Sequence, residues 1–313
     1  MFDLIGDIHG HADELILLLE SMGYNQRHGV FRHPDRRVVF CGDFIDRGPQ
    51  IAEVIAIVRN MMDAGEAMAV MGNHEYNAIA FHTEHPENRG HYLRSHSTRN
   101  VHQHQATLNQ LTTSQLQDAL RWFASLPIAL DPGAFRVVHA CWDFDCIRLI
   151  EDRVAYYGGL TPHFLVQSSD PDQPLFEAIE RVLKGPELRL PDGLSVRDKE
   201  GAERRQIRIR WFESPKDHTL SSYALPEASH EQLRTLPVTG RFRPALYGAD
   251  EVPLFVGHYW MTGTPHEPLT SNIACLDYSV AKNGHLCAYR FDGERVLSSN
   301  KFVSVPGTVR IHA

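Results

Sequence analysis

Five short apolar runs, at residues 2–6, 38–41, 67–71, 135–138 and 253–256, each lead into a side chain that can ligate a cation. After the first come Asp7 and His9, after the second Asp43, after the third Asn73 and His74. After the last two come His139 and His258. Short apolar runs bounded by turn signals are the pattern of strands buried on both faces. Residues 12–22 carry Leu15, Leu18, Leu19 and Met22 at helical spacing, and residues 51–62 carry Ile51, Val54, Ile55 and Val58. Strand, polar loop and helix, repeated, predict an α/β fold with functional loops at the carboxyl ends of strands.

Oxygen donors together with imidazoles suit divalent or trivalent first-row ions rather than a soft thiolate site. Two such ions about 3.5–4 Å apart can share one carboxylate and clamp a phosphoryl group between them. Carboxylates hold the ions, and neutral imidazoles hold them without cancelling all their charge. Net positive charge then remains to attract phosphate and acidify a water. Gly6, Gly10, Gly42, Gly48, Gly72 and Gly257 sit beside these residues. Lacking Cβ, they permit tight turns and close approach of backbone to metal or phosphate.

Three segments carry a resemblance. Gly6-Asp7-Ile8-His9-Gly10, Gly42-Asp43-Phe44-Ile45-Asp46-Arg47-Gly48 and Gly72-Asn73-His74-Glu75 resemble, in order and spacing, signatures of the phosphoprotein phosphatase branch of calcineurin-like metallophosphoesterases. His139 and Gly257-His258 resemble the later elements of that family. The resemblance is strong over residues 1–80, weaker over 135–145 and 253–290, and absent over 150–250. It implies two packed β-sheets flanked by helices, here one domain over residues 1–313 with a large insertion at 150–249. It implies Asp7, His9 and Asp43 at a first ion, Asp43 bridging, and Asn73, His139 and His258 at a second. Two divalent ions are implied, manganese first, with iron, zinc or cobalt as alternatives. His74 is the implied general acid, Asp46 its orienting carboxylate and Arg47 a phosphate clamp. The implied nucleophile is a hydroxide bridging the ions.

The implied activity is that of a dinuclear metallophosphatase. A serine/threonine phosphoprotein phosphatase comes first and a hydrolase of diadenosine tetraphosphate second. Met71 stands where the protein phosphatases usually have arginine, and Ala140 follows His139 where they have glycine. Trp260 stands two residues past His258, where nuclease-like relatives carry a further histidine. That favours the phosphatase type over a nuclease. A non-catalytic interaction module is disfavoured, because no ligand position is lost and the acid is present.

Residues 82–106 are polar. Their histidines His82, His85, His91, His96, His102 and His104 fit no ligand spacing and read as a solvated loop near the mouth of the site. A helix is expected over 108–126. Residues 150–249 are dense in proline, glycine and charge, with a strand-like run at 207–211. Arg208 and Arg210 are candidates for a second phosphate-binding arginine, and no motif supports either. Tyr259 and Trp260 either line the pocket or cap the core. With Trp211, they are the aromatics that could stack on a base. Glu75 reads as structural, and Asp277 as support for the site or a turn.

A net charge of -8 argues against nucleic-acid and anionic-membrane partners, which need a positive field. No apolar run approaches the ~20 residues that span a bilayer, and the residues after Met1 do not make a signal peptide. The five cysteines form no CxxC pair, and Cys41, Cys141 and Cys146 read as packing residues. A cytoplasmic protein with reduced thiols is expected. Its expected partner is a phosphorylated protein or a nucleotide.

Overall fold

Three parallel strands, β1 (Phe2–Ile5), β2 (Arg37–Phe40) and β3 (Ala67–Ala69), form one side of a six-stranded sheet. Helices α1 (Ala12–Ser21) and α2 (Ile51–Asp63) lie between them in sequence. A second sheet contains β4 (Ala129–Leu130), β5 (Arg136–Val138), β6 (Leu254–Val256) and β7 (Ile273–Cys275), with β5, β6 and β7 parallel. The chain then returns to the first sheet as β8 (Asp277–Tyr278), β9 (His285–Phe291) and β10 (Phe302–Pro306), and β9 runs antiparallel to β1. This computed structural model describes residues 1–197, 203–228, 230–239 and 244–308.

Most side chains of β1, β2, β5, β6 and β7 are buried, on both faces, which is why these strands read as unbroken apolar runs. Leu4, Val39, Val137, Phe255, Ala274 and Tyr289 cluster together from the two sheets. The Phe255 ring lies 5.2 Å from that of Tyr289 and 6.2 Å from that of Phe135. The alternate residues Ile5, Val38 and Phe40 belong to the cluster that includes Leu15, Leu19, Val54 and Val58 of α1 and α2. Each fully buried aliphatic or Phe side chain contributes about 1.5–3 kcal/mol. The two layers on either side of the first sheet therefore fix where its strands end.

Helix α3 (Asn73–His82) starts at the third motif. The helix expected over 108–126 is two helices, α4 (Thr98–Gln110) and α5 (Thr113–Phe123). The break is at Thr112, whose hydroxyl accepts from Gln115 N at 3.3 Å while Gln115 Oε1 accepts from Thr112 N at 3.0 Å. That reciprocal cap starts a new helix.

After His139 come α6 (Phe144–Tyr157), α7 (Pro162–Ser169) and α8 (Pro174–Lys184). Helix α6 runs through residue 150, the expected start of the insertion. Val182 O accepts from Ala140 N and Cys141 N, at 3.2 and 3.1 Å, tying α8 to the loop after β5. Farther on, Glu187–Arg189 pairs with Gln206–Arg208, and Ile209 bridges to Ala224, so the strand expected over 207–211 exists but is short. Among the described residues no helix is long and apolar enough to cross a membrane.

Candidate metal centre

The carboxyl ends of β1, β2 and β3 in one sheet and of β5 and β6 in the other converge. They bring Asp7, His9, Asp43, Asn73, His74, His139 and His258 into one buried cluster. The loops interlock through backbone: Ile8 N and His9 N donate to Asp43 O at 3.1 and 2.9 Å, and Gly10 N donates to Phe44 O at 2.8 Å. Two glycines are required by close approach. A Cβ on Gly72 would lie 2.2 Å from Asp43 Oδ1, and one on Gly257 would lie 2.0 Å from Asp7 Oδ1. His9, Asp43, Asp46, Arg47, His258 and Trp260 all take positive φ, between 45° and 69°. That conformation is uncommon for residues with a Cβ, and it concentrates here.

Asp43 Oδ2 is the common point. It lies 3.5 Å from His9 Nε2, 3.4 Å from His139 Nε2 and 3.9 Å from His74 Nε2. Asn73 Oδ1 lies 3.1 Å from His139 Nε2 and 2.8 Å from His258 Nδ1. Donor atoms about 2.0–2.2 Å from one ion are roughly 3–3.5 Å apart. Two overlapping donor groups result: His9, Asp43 and His74, and Asp7, Asp43 and His139. Asp43 belongs to both.

The surroundings fit divalent ions. His9 Nδ1 donates to Ile45 O and His139 Nδ1 to Cys41 O, each at 2.8 Å, so both rings turn Nε2 toward the cluster. Carbonyl acceptors behind an imidazole are the usual outer support of a metal-bound histidine. The buried Nε2 atoms of His9 and His258 have no hydrogen-bond partner, whereas buried polar atoms in folded proteins are almost always paired. Charge points the same way. Burial pushes the Asp7 carboxyl well above its usual range, and Asp277 and Asp43 add to that. Burial acts likewise on Asp43, but His139 and His74 more than offset it and hold the group well below its usual range. Burial lowers His139, yet Asp43 outweighs it and pushes the imidazole up to about 10.

Glu75 is structural. Its carboxylate accepts from Asp43 N at 2.9 Å, Gly72 N at 3.0 Å, Phe44 N at 2.8 Å and Ile45 N at 3.3 Å, stitching the second motif to the third. Asp277 accepts from Trp260 N at 2.7 Å and Ser279 N at 2.9 Å, which holds the turn after His258.

His74 and Asp46 meet at 2.5 Å, Nδ1 to Oδ2. The other Asp46 oxygen accepts from His104 Nδ1 at 2.8 Å and from Thr107 Oγ1 at 2.5 Å. Residues 86–92 and 95–99 are exposed, as read, but the end of the segment corrects the reading of 82–106 as a solvated loop. The segment ends in α4, and His104 is 4% exposed because it faces the Asp46 carboxylate. His96 stacks on Phe81 with centroids 4.0 Å apart, and among the described residues the histidines of this segment form no metal-binding group.

Residues 1–177 match the model of the calcineurin-like phosphoesterase family. The chain belongs to that family. Over 74 residues it is 47% identical to the asymmetrical bis(5'-nucleosyl)-tetraphosphatase PrpE of Halalkalibacterium halodurans and 45% identical to that of Bacillus subtilis. Each alignment covers 23% of this chain and 30% of the relative, so the chain spans under a third of the length of these curated relatives. A solved structure provisionally described as a diadenosine tetraphosphatase is 17% identical, with 99% of this chain and 94% of that chain covered and a TM-score of 0.48.

In this calcineurin-like phosphoesterase the two candidate arginines separate. Arg208 Nη1 donates to His258 O at 3.0 Å, at the edge of the cluster. Arg210 instead pairs with Glu213 at 3.0 Å and lies over Phe212. The aromatics separate too. Trp211 and Tyr259 are fully buried, with Trp211 Nε1 donating to Tyr259 Oη at 2.8 Å and Tyr259 Oη donating to Ala140 O at 3.0 Å. Both are core. Trp260 is partly exposed and lies under Arg47, 4.0 Å from guanidinium carbon to ring centroid.

His82, at the end of α3, gives the fold an acid-sensitive contact. Its Nε2 faces His104 Nε2 at 3.2 Å. Burial first, then His104 and His96, lower its pKa from 6.5 to about 4. The unfolded chain therefore binds this proton before the folded chain does. The contribution is complete above pH 6.5 and is lost as pH falls toward 4. Thermal melts across that range should show the wild type losing more on acidification than His82→Gln. A gap between the two that stays constant with pH would remove His82 from this role.

Proposed function

We propose that the chain hydrolyses phosphoric esters or anhydrides at this cluster, with two divalent ions, manganese first, and a nucleoside polyphosphate as substrate. The observation that carries the chemistry is Asp43 Oδ2 shared between two donor groups at 3.4–3.9 Å. Asp7, His9 and Asp43 would hold one ion, and Asn73, His139 and His258, with Asp43 again, the other. Bound ions would neutralise phosphoryl charge and acidify a water at this place.

The chain's own groups do the rest. Arg47 Nη2 donates to His74 Nε2 at 3.3 Å, which holds the two groups side by side. A guanidinium fork there binds phosphoryl oxygens. His74, its Nδ1 committed to Asp46, presents Nε2 to protonate the leaving oxygen. Arg208, beside His258, is the second phosphate-binding arginine on this reading.

Three observations favour the nucleotide over a phosphoprotein. The curated relatives, matched over the stretch that carries the first motifs, are named as tetraphosphatases. Trp260 is the partly exposed one of the three aromatics and lies against Arg47, a setting that suits a base. Met71 is fully buried in the apolar core, so no cation stands where the protein phosphatases usually have one.

The test incubates metal-supplemented protein with diadenosine tetraphosphate, a phosphoserine peptide and a phosphotyrosine peptide, and separates the products by chromatography. Nucleotide turnover is expected. Peptide turnover alone would return the substrate to phosphoproteins. No turnover of any of the three, with metal bound, would sink the proposal.

A further inference from the structure

Asp46 is 3% exposed; burial opposes its charge, and the hydrogen bonds from His104 and His74 outweigh burial and hold the carboxyl well below its usual range. One oxygen serves His74, and the other is taken by His104 and Thr107 of α4. The Thr107 hydroxyl also accepts from Asp46 N at 3.1 Å, so helix and loop are joined at both backbone and side chain. An ionised carboxylate only accepts. Nδ1 of His104 and Nδ1 of His74 must therefore both carry hydrogen. At its far side His104 Nε2 pairs with His82 Nε2 at 3.2 Å. An ordered polar chain thus runs from the start of α3, through the Asp46 loop and α4, back to the end of α3.

We propose that His104, assisted by Thr107, is a positioning residue for the acid: it pins one oxygen of Asp46 so that the other meets His74 Nδ1 and Nε2 faces the leaving group. The terminal torsion of a carboxylate is broad and two-fold. With that oxygen held by Thr107 alone, Asp46 is freer to rotate, and the ring it orients is less firmly fixed in tautomer and direction. This inference rests on the reading of His74 as the acid.

Two conservative substitutions separate positioning from packing. The amide nitrogen of His104→Asn falls where Nδ1 lies and can still donate to Asp46. That of His104→Gln falls where Nε2 lies and cannot. Turnover is compared on an alkyl phosphate, whose leaving oxygen needs a proton, and on 4-nitrophenyl phosphate, whose leaving group needs little. His104→Gln should lose about 10–100-fold on the alkyl ester, the usual scale for an outer support. It should lose far less on the nitrophenyl ester, and His104→Asn should recover most of the difference. Thr107→Val, of the same shape, should show a smaller loss of the same selectivity, and it stands in if His104→Gln does not fold.

Equal losses on both esters, or His104→Asn as impaired as His104→Gln, would overturn the proposal. A wild type inactive on both esters would speak to substrate choice and not to the acid. The positioning claim is then still decided by NMR of the metal-free protein. The His74 Nδ1–H resonance, assigned by its absence in His74→Ala, should persist in His104→Asn and vanish in His104→Gln. Its persistence in both would refute the role of His104.

Discussion

Asp43→Asn should lower turnover by about 10³-fold or more and reduce the metal bound per chain. Three imidazole nitrogens lie within 3.9 Å of the one oxygen that this substitution neutralises or replaces. The shape is kept, and the contact from His74 N to Oδ1, at 3.0 Å, can survive. What is lost is the single charge common to both donor groups. Charge stabilisation at a metal centre is worth several kcal/mol, and about 4 kcal/mol corresponds to three decades in rate. Steady-state kinetics and metal analysis on the same preparation check it. A variant with wild-type turnover and undiminished metal would exclude Asp43 as the shared ligand.

His74→Ala should behave differently. Metal content should stay near that of the wild type, because Nδ1 of His74 is committed to Asp46 and Asp43 keeps its other neighbours. Turnover of an ester with a poor leaving group should fall by about 10²–10⁴-fold, the usual range for a positioned acid. Turnover of a nitrophenyl ester should fall much less. If both esters fell equally, His74 would be holding metal rather than a proton. Its place in the donor group with His9 and Asp43 makes that outcome the direct competitor.

Strands β1, β2 and β3 and helices α1 and α2 were legible because those strands are largely buried and lead into glycine-bearing motifs, whereas the mostly exposed hairpin of Asn25–Arg27 and Val30–Arg32 and helix α3 were not read. There apolar runs, helical spacing and motif order all agree, and these three strands and two helices fall within a residue or two of the expected bounds. The convergence of His139 and His258 on the same cluster was legible only through the resemblance, since nothing local marks a lone histidine. Helix α4 was hidden for a physical reason. Its buried residues are His104 and Thr107, polar groups facing a polar partner, so periodicity read on apolar residues passes over it. Helices α6 to α8 were hidden by their flanks. Leu175, Ile179, Val182 and Leu183 have helical spacing and Pro174 begins the helix, a sound start signal, but the surrounding prolines and charges drew the reading toward irregular structure. The choice between Arg208 and Arg210 lies in tertiary contacts that no spacing carries.

The candidate ligands come from two sheets, and His258 N, 251 positions along the chain from Asp7, donates to both oxygens of its carboxylate at 3.2 Å. A cation gripped by such residues acts as a clasp. It joins the beginning of the polypeptide to its last third, so it closes a very long loop, and loops of that length cost only slightly more entropy to close than short ones. Because the clasp can form only when both sheets are docked, ion binding favours the docked state by mass action. Chelation should then loosen the seam between the sheets as well as silence the site, and hydrogen exchange along β5 and β6 would be the place where that slackening registers.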